Sequence, residues 1–176
     1  KRGYGMDRGL NSGNTCDEFY LSNASVVTAT LGASEQGWHA DGGHVDLHRH
    51  LPCHCLNVFV PLVDVPLEAG PTELRPGTHF HTRNLAPMML AAKARKTLRP
   101  PVLPLLKAGD ALIFDYRVLH RGRANTGTHD RPIFVMTFAK RWFKDVLNFP
   151  KQSIFDPHSS QNGCSNKDKS MEKNSN

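Results

Sequence analysis

The 176-residue sequence has no apolar run near the roughly 20 residues that a membrane-spanning helix needs, so we expect no membrane span. Its 4 cysteines, 14 glycines and 12 prolines are scattered without a period, which excludes collagen-like chains, coiled coils and disulfide scaffolds. No secretory signal is visible, so we expect reduced thiols. The compartment is open, with a soluble, cytoplasmic protein as the default expectation. Lys1 is not a natural start, so we expect a fragment whose targeting segment, if any, lies upstream.

Acidic residues are absent from the segment Arg83–Lys107, which holds six cations. The net charge of this segment therefore equals the +6 of the whole chain. One interpretation is a solvated helix face flanked by a loop, and the other is a face that attracts an anionic substrate. No aromatic side chains alternate with these cations, although stacking aromatics are typical of proteins that bind single-stranded nucleic acid. We therefore expect no nucleic-acid partner.

The rest of the composition, 39% hydrophobic and 22% charged, is ordinary for one globular domain. We expect an irregular lead-in over residues 1–23, a single domain over residues 24–156, and a disordered polar tail over residues 157–176. Nothing in the sequence indicates an oligomeric state.

Short apolar segments between turn residues predict an all-β core with few helices. One helix is predicted over Leu85–Lys96, and Pro61 suggests an edge strand or a bulge. Several short strands with one helix favour a β-sandwich or barrel. The predicted strands are Ala24–Leu31, Leu56–Val65, Ala111–Asp115, Arg117–His120 and Ile133–Trp142.

Five of the ten histidines fall within sixteen residues, from His39 to His54, and this density suggests a metal site. In extended backbone, His39 and Asp41 point to the same side, so both can reach one ion. Gly42 and Gly43 then allow the backbone to turn away. One more neutral nitrogen ligand from a distant strand would complete the facial triad of non-haem Fe(II) oxygenases.

His120 is the candidate for that distant ligand, because it ends a predicted strand. The turn after it and the strand from Ile133 predict a hairpin that returns Arg131 alongside His120. In an extended strand, Arg131 lies on the same face as a row of small residues that leave room for a ligand. A buried guanidinium needs a partner, which a dicarboxylate cosubstrate would supply.

Five sequence blocks occur in order between about Ala24 and Trp142: Gln36–Asp41, Val60–Asp64, Ala69–His79, Ala108–Asp115 and His120–Asn125. Together they resemble the phytanoyl-CoA dioxygenase family of Fe(II)/2-oxoglutarate-dependent oxygenases. The resemblance implies a double-stranded β-helix (jelly roll, cupin-like), Fe(II) held by His39, Asp41 and His120, and 2-oxoglutarate held by Arg131. It also implies O₂ as co-reactant, succinate and CO₂ as products, and hydroxylation of an unidentified small-molecule or lipid-like, possibly anionic, substrate.

Further contacts to 2-oxoglutarate are predicted from the same resemblance. Thr28 on the preceding strand and Gln36 are candidates for holding the cosubstrate. Gly122 departs from the hydroxyl residue that the family sometimes has two positions after the distal histidine. Asn125 either supplies a polar contact in its place or shapes the turn.

Three alternatives stay open. The first is a zinc-binding hydrolase or structural zinc protein that uses the remaining His/Cys cluster, although its spacing matches no usual structural zinc pattern. The second is a non-catalytic jelly roll that binds a small molecule, and the third is a hydroxylase of protein residues. The cluster comprises His44, His48, His50, Cys53, His54 and Cys55.

Overall fold

The computed structural model describes residues 18–81, 90, 93, 94, 96, 98–145 and 148. Six strands and two short 3₁₀ helices, Leu67–Ala69 and Thr78–Phe80, make up its regular structure. No helix in this part of the chain is long and apolar enough to cross a bilayer. The strands are β1 (Phe19–Ala29), β2 (Cys55–Pro61), β3 (Thr72–Arg75), β4 (Leu112–Asp115), β5 (Leu119–Gly122) and β6 (Arg131–Lys140).

The larger sheet has four antiparallel strands in the order β1-β6-β2-β4. Its most regular strand is β6, in which buried positions alternate at first with half-buried ones. This alternation follows from β-branched and aromatic residues that occupy a pleated surface with one face toward the core. The inward row of β6 includes Arg131, Ile133 and Thr137, each of which is buried.

The smaller sheet pairs β3 with β5, also antiparallel. Isolated bridges extend it at both edges, one between His39 and His120 and the other between Leu74 and Val102. In the part of the chain that the structure describes, two antiparallel sheets form the all-β, double-stranded β-helix (jelly-roll) core that was predicted.

Two buried clusters form the core. Cys55, Tyr116, Ala139 and Phe143 make the first cluster. The second comprises Leu74, Phe114 and Val118, with Phe59 and Leu112 packed against it. Phe114 and Phe59 also contact the ring of His120, at centroid distances of 4.9 and 6.0 Å. The second cluster therefore supports the candidate distal ligand from behind.

Several predicted boundaries were wrong. The strand β1 begins at Phe19, within the segment predicted to be irregular, and ends at Ala29. The strand β6 spans Arg131–Lys140, two residues earlier than predicted, and β5 begins at Leu119. Most of the helix predicted over Leu85–Lys96 lies outside the described residues.

The strand β2 is interior to its sheet, so the prediction of an edge strand from Pro61 was wrong. Pro61 is tolerated because it is the last residue of β2 and lies beyond the part that pairs with β4. Its carbonyl accepts a hydrogen bond from the backbone N–H of Gly109 at 2.9 Å. Proline lacks only the donor, so this end of the strand keeps its acceptor in use.

The predicted hairpin between His120 and Arg131 was also wrong. His120 lies on β5 in the smaller sheet, whereas Arg131 begins β6 in the larger one. The turn between them therefore crosses from one sheet to the other, as strands of a jelly roll do.

Candidate metal centre

Backbone pairing at the edge of the smaller sheet brings His39 and His120 together. The N–H of His39 donates to the carbonyl of His120 at 3.0 Å, and the N–H of His120 donates back at 2.8 Å. The two imidazole rings consequently lie side by side, with centroids 4.5 Å apart. Residues 81 positions apart in the chain thus point into one space.

Both imidazoles have one nitrogen engaged with a backbone carbonyl. Nδ1 of His39 lies 2.9 Å from the carbonyl oxygen of Gly37, and Nδ1 of His120 lies 3.0 Å from that of Val118. A carbonyl only accepts, so each Nδ1 carries a proton and Nε2 is the ring nitrogen left to bind a metal. This is the arrangement that proteins use to orient metal-binding histidines.

The carboxylate of Asp41 completes the group. Its Oδ1 lies 3.8 Å from Nε2 of His39 and 3.7 Å from Nε2 of His120. The ligand atoms of the three side chains all lie within 4.8 Å of one another. Two neutral imidazoles and one carboxylate are a donor set suited to Fe(II) with open coordination positions.

Burial differs across the three side chains. The His120 side chain is 4% exposed, whereas those of His39 and Asp41 are 41% and 31% exposed. Burial lowers the pKa of His120, and the neighbouring Asp41 opposes this shift. The His120 ring therefore stays neutral, as a metal ligand must be, and the centre opens toward solvent on the side of His39 and Asp41.

Gly42 allows the chain to turn sharply after Asp41. A Cβ at this position would lie 1.5 Å from Cε1 of Tyr116, so no side chain fits there. Tyr116 is buried and belongs to the first core cluster. The backbone at Gly42 thus packs directly against the Tyr116 ring, which holds the chain in place just after Asp41.

Sequence reasoning missed Asn57, whose Nδ2 donates to Oδ2 of Asp41 at 2.5 Å. Asn57 is 1% exposed and lies on β2, opposite Thr137 of β6. The hydroxyl of Thr137 donates to Oδ1 of Asn57 at 3.2 Å. The available signal was a polar residue at a core-facing position of an apolar strand, because such a residue needs a partner.

Arg131 and Gln36 meet at Gly122. Arg131 is 6% exposed, and its Nε has no hydrogen-bond partner among the described residues. A Cβ placed on Gly122 would lie 3.5 Å from Nη2 of Arg131 and 3.0 Å from Oε1 of Gln36. That same Gln36 oxygen accepts the N–H of Gly122 at 2.7 Å. Burial lowers the pKa of Arg131, which marks a desolvated guanidinium.

The structure does not bring Thr28 to this group, which corrects the prediction for Thr28. Thr28 is opposite Pro132, whereas Ala29 is opposite Arg131. Cross-strand partners share a face of the sheet, so Thr28 lies on the face away from Arg131. It is also exposed to solvent.

Asn125 is fully engaged with backbone groups. Its Nδ2 donates to the carbonyls of Ala29 and His129 at 3.0 and 2.9 Å, and its Oδ1 accepts the N–H of Gly127. No N–H of its side chain is left for a cosubstrate. Of the two roles considered for Asn125, the geometry therefore supports shaping of the turn.

The remaining histidines and cysteines do not join the centre. Among the residues that the structure describes, the single group of metal-binding side chains that converge is His39, Asp41 and His120. Burial raises the pKa of Cys53 to about 12 and also raises that of Cys55, so both thiols stay protonated. Neither cysteine belongs to a converging group of metal-binding side chains among the described residues, so this geometry gives no support to the zinc alternative.

Comparisons with known proteins relate this geometry to a family. The family model for phytanoyl-CoA dioxygenase (PhyH) matches residues 4–133. A curated relative, dioxygenase hkm4 of Aspergillus hancockii, is 27% identical over 111 residues, which cover 61% of this chain and 34% of hkm4.

Solved structures with the same fold include three at about one-fifth sequence identity. AviO1 from Streptomyces viridochromogenes Tue57 has a TM-score of 0.58 at 22% identity, covering 72% of this chain and 53% of AviO1. SnoK, a non-heme alpha-ketoglutarate-dependent carbocyclase from nogalamycin biosynthesis, has a TM-score of 0.55 at 20% identity, covering 69% and 50%. EctD from S. alaskensis, solved with bound Fe, has a TM-score of 0.53 at 20% identity, covering 70% and 46%.

The chain spans only part of these proteins. It matches about a third of the curated relative and about half of each of the three structures. At these identities the solved structures show that the fold is shared.

Proposed function

The chain belongs to the phytanoyl-CoA dioxygenase family, and on that premise we propose that it is an Fe(II)- and 2-oxoglutarate-dependent dioxygenase that hydroxylates a small-molecule or lipid-like substrate. The family match over residues 4–133 confirms the family predicted from the motif blocks. The observation that carries the proposed activity is the convergence of His39, Asp41 and His120, with both Nδ1 atoms engaged by carbonyls.

Each of these residues has a defined task in the proposal. His39 and His120 would hold one Fe(II) through Nε2, and Asp41 would hold it through Oδ1. Three protein ligands would leave coordination positions for cosubstrate and O₂. When bound, the iron supplies the oxidative chemistry that couples decarboxylation of 2-oxoglutarate to hydroxylation of the substrate.

Arg131 receives the far carboxylate of 2-oxoglutarate in this proposal. The support for this role is that the guanidinium is buried and that its Nε has no partner among the described residues. Arg131 lies next to Gly122, which follows His120 by two residues. A buried charge of this kind is costly until an anion pairs with it. Gln36 lines the same place and orients its amide through the N–H of Gly122.

The substrate would enter from the solvent side of the centre, where His39 and Asp41 are partly exposed. The basic segment Arg83–Lys107 favours an anionic substrate. Residues 83–89, 91, 92, 95 and 97 of this segment lie outside the described part of the chain. The substrate class is accordingly a small or lipid-like molecule, with an anionic group as the preferred case.

The test is consumption of O₂ and formation of succinate by the metal-depleted chain after anaerobic addition of Fe(II) and 2-oxoglutarate. We expect slow turnover without substrate that disappears in His39→Ala, Asp41→Ala and His120→Ala. Anaerobic loading matters because N/O sites bind Co, Ni and Zn at least as well as Fe(II). Succinate formation that survived these substitutions unchanged would contradict the proposal.

The alternatives predict other results, in this experiment and in metal analysis of the chain before depletion. A zinc protein would retain zinc that Cys53→Ser or Cys55→Ser releases and that His120→Ala does not. A non-catalytic jelly roll would bind 2-oxoglutarate through Arg131 without forming succinate. A hydroxylase of protein residues would show succinate formation that peptides stimulate and small anionic molecules do not.

A further inference from the structure

The two oxygens of the Asp41 carboxylate have different surroundings. Oδ1 faces the Nε2 atoms of His39 and His120. Oδ2 accepts a hydrogen bond from Nδ2 of Asn57. The amide of Asn57 therefore fixes which oxygen is turned toward the two imidazoles.

The orientation of that amide is itself determined by Thr137. A hydroxyl can donate or accept, but the Asn57 oxygen can only accept, so the contact of 3.2 Å requires Thr137 to donate to Oδ1. With its oxygen held in this way, Asn57 turns its NH₂ group toward Asp41. Both residues are nearly inaccessible, at 1% and 3% exposure, so water does not compete for these bonds.

The sheet keeps this arrangement rigid. Asn57 and Thr137 are direct cross-strand partners on β2 and β6, and Phe114 of β4 is opposite Asn57 on its other side. Interior strands hold their side chains more precisely than loops do. Asp41, by contrast, lies in a bend outside the named strands and depends on such a contact for its orientation.

We propose that Asn57 and Thr137 are a positioning pair that makes Asp41 a ligand through one oxygen, which keeps a further metal position open. This inference rests on the proposed function, because it assigns residues that act on its metal site. Without the pair, the carboxylate would rotate or would bind with both oxygens and occupy one of the positions needed for cosubstrate or O₂.

Two substitutions of Thr137 separate the hydroxyl from its packing. Thr137→Val keeps the shape of the side chain and removes the donor, whereas Thr137→Ser keeps the donor and removes a methyl group. Asn57→Leu removes the amide itself. Thr78→Val is the matched control, because Thr78 is 1% exposed and its hydroxyl bonds only backbone groups of Arg75 and Leu119.

The experiment titrates the metal-depleted full chain with Co(II) and records the EPR spectrum of the bound ion alongside the melting temperature of the metal-free chain. We expect Thr137→Val and Asn57→Leu to bind Co(II) about 10- to 100-fold more weakly, as outer-shell substitutions do. Their EPR signals should broaden as the carboxylate takes several orientations. Thr137→Ser should match the unchanged chain, and Thr78→Val should lose stability while keeping its Co(II) affinity.

The outcomes separate failure of the positioning role from failure of the proposed function. Wild-type affinity and spectrum in Thr137→Val would overturn the positioning role, as would a Thr137→Ser variant as weak as Thr137→Val, because packing would then be the cause. Co(II) binding that Asp41→Ala leaves unchanged would instead place the metal elsewhere. That result would overturn the proposed function, and the positioning role with it.

Discussion

At the scale of single residues, Arg131 has an unusual energetic balance. Its guanidinium is buried, and its Nε has no hydrogen-bond partner among the described residues. We expect Arg131→Met to stabilise the chain without cosubstrate by about 1–3 kcal/mol, because it removes a buried charge whose Nε has no partner among the described residues. The same change should weaken binding of 2-oxoglutarate by about 2–5 kcal/mol, the cost of losing a desolvated charge pair. Thermal melting with and without 2-oxoglutarate measures both effects.

The control for Arg131 is Arg121→Met. Arg121 pairs with Glu73 at 2.7 Å and with Glu35. Its loss should lower the melting temperature, since Glu73 is buried, and should leave the 2-oxoglutarate effect intact. If Arg131→Met lowers the melting temperature as much as Arg121→Met does, Arg131 already has a partner in the chain.

His54 gives a prediction about pH. It is 1% exposed and packs against Phe143 at a centroid distance of 4.4 Å. Burial lowers the pKa of His54 to about 4, well below the 6.5 that is usual for histidine. The unfolded chain therefore binds a proton more readily, so stability is complete above about pH 6.5 and falls as the pH drops toward 4. The loss is at most about 3 kcal/mol.

The measurement for His54 is denaturant unfolding between pH 7 and pH 4. His54→Phe keeps an aromatic ring in the core and cannot take up a proton. It should flatten the pH dependence relative to the unchanged chain over this interval. An equal slope in both chains would assign the effect to other groups.

At the scale of elements, the end of β5 controls the space between Gln36 and Arg131. A Cβ on Gly122 would lie 3.0 Å from Oε1 of Gln36, closer than most real Cβ contacts. We expect Gly122→Ala to displace Gln36 and to raise the 2-oxoglutarate concentration for half-maximal succinate formation about tenfold, on the order of 1.4 kcal/mol. Gly37→Ala is the control, because a Cβ there meets nothing within 4 Å. Equal requirements in both variants would mean that Gly122 does not border the cosubstrate.

The strands also show how far local sequence predicts this structure. The alternating run from Ile133 was recognised as a strand, but Arg131 and Pro132 are poor strand formers, so the start of β6 was placed two residues late. His39 and Asp41 were paired from their spacing, since residues two apart share a side in extended chain, together with the resemblance of the motif blocks. The strand after His120 was predicted to pair with it in a hairpin, but β5 pairs with β3. This was missed because strand pairing depends on contacts between residues distant in sequence. Asn57 was missed for the same reason, because its partners Asp41 and Thr137 are 16 and 80 positions away.

At the scale of the whole molecule, the outer face of the four-stranded sheet is apolar and partly exposed. We call this the outer apolar face. Cross-strand register places Val26, Phe134 and Val60 in one row, and Met136, Val58 and Ile113 in the next. None of these side chains is buried, and Ile113 is 61% exposed. The residues of the outer apolar face are Val26, Leu56, Val58, Val60, Ile113, Phe134, Met136 and Phe138.

Contiguous apolar surface of this extent is uncommon on a soluble monomer and favours contact with other apolar groups. We expect the chain to bind an apolar fluorescent dye in its folded state, and Ile113→Lys together with Val26→Lys to reduce that binding several-fold. The melting temperature should change little, because both side chains are already more than half exposed. Leu47→Lys is the matched control, since Leu47 is equally exposed, at 65%, but lies in a segment outside the sheet. If Leu47→Lys lowers dye binding as much as the sheet variants do, the dye reports general surface hydrophobicity, and the outer apolar face has no special affinity.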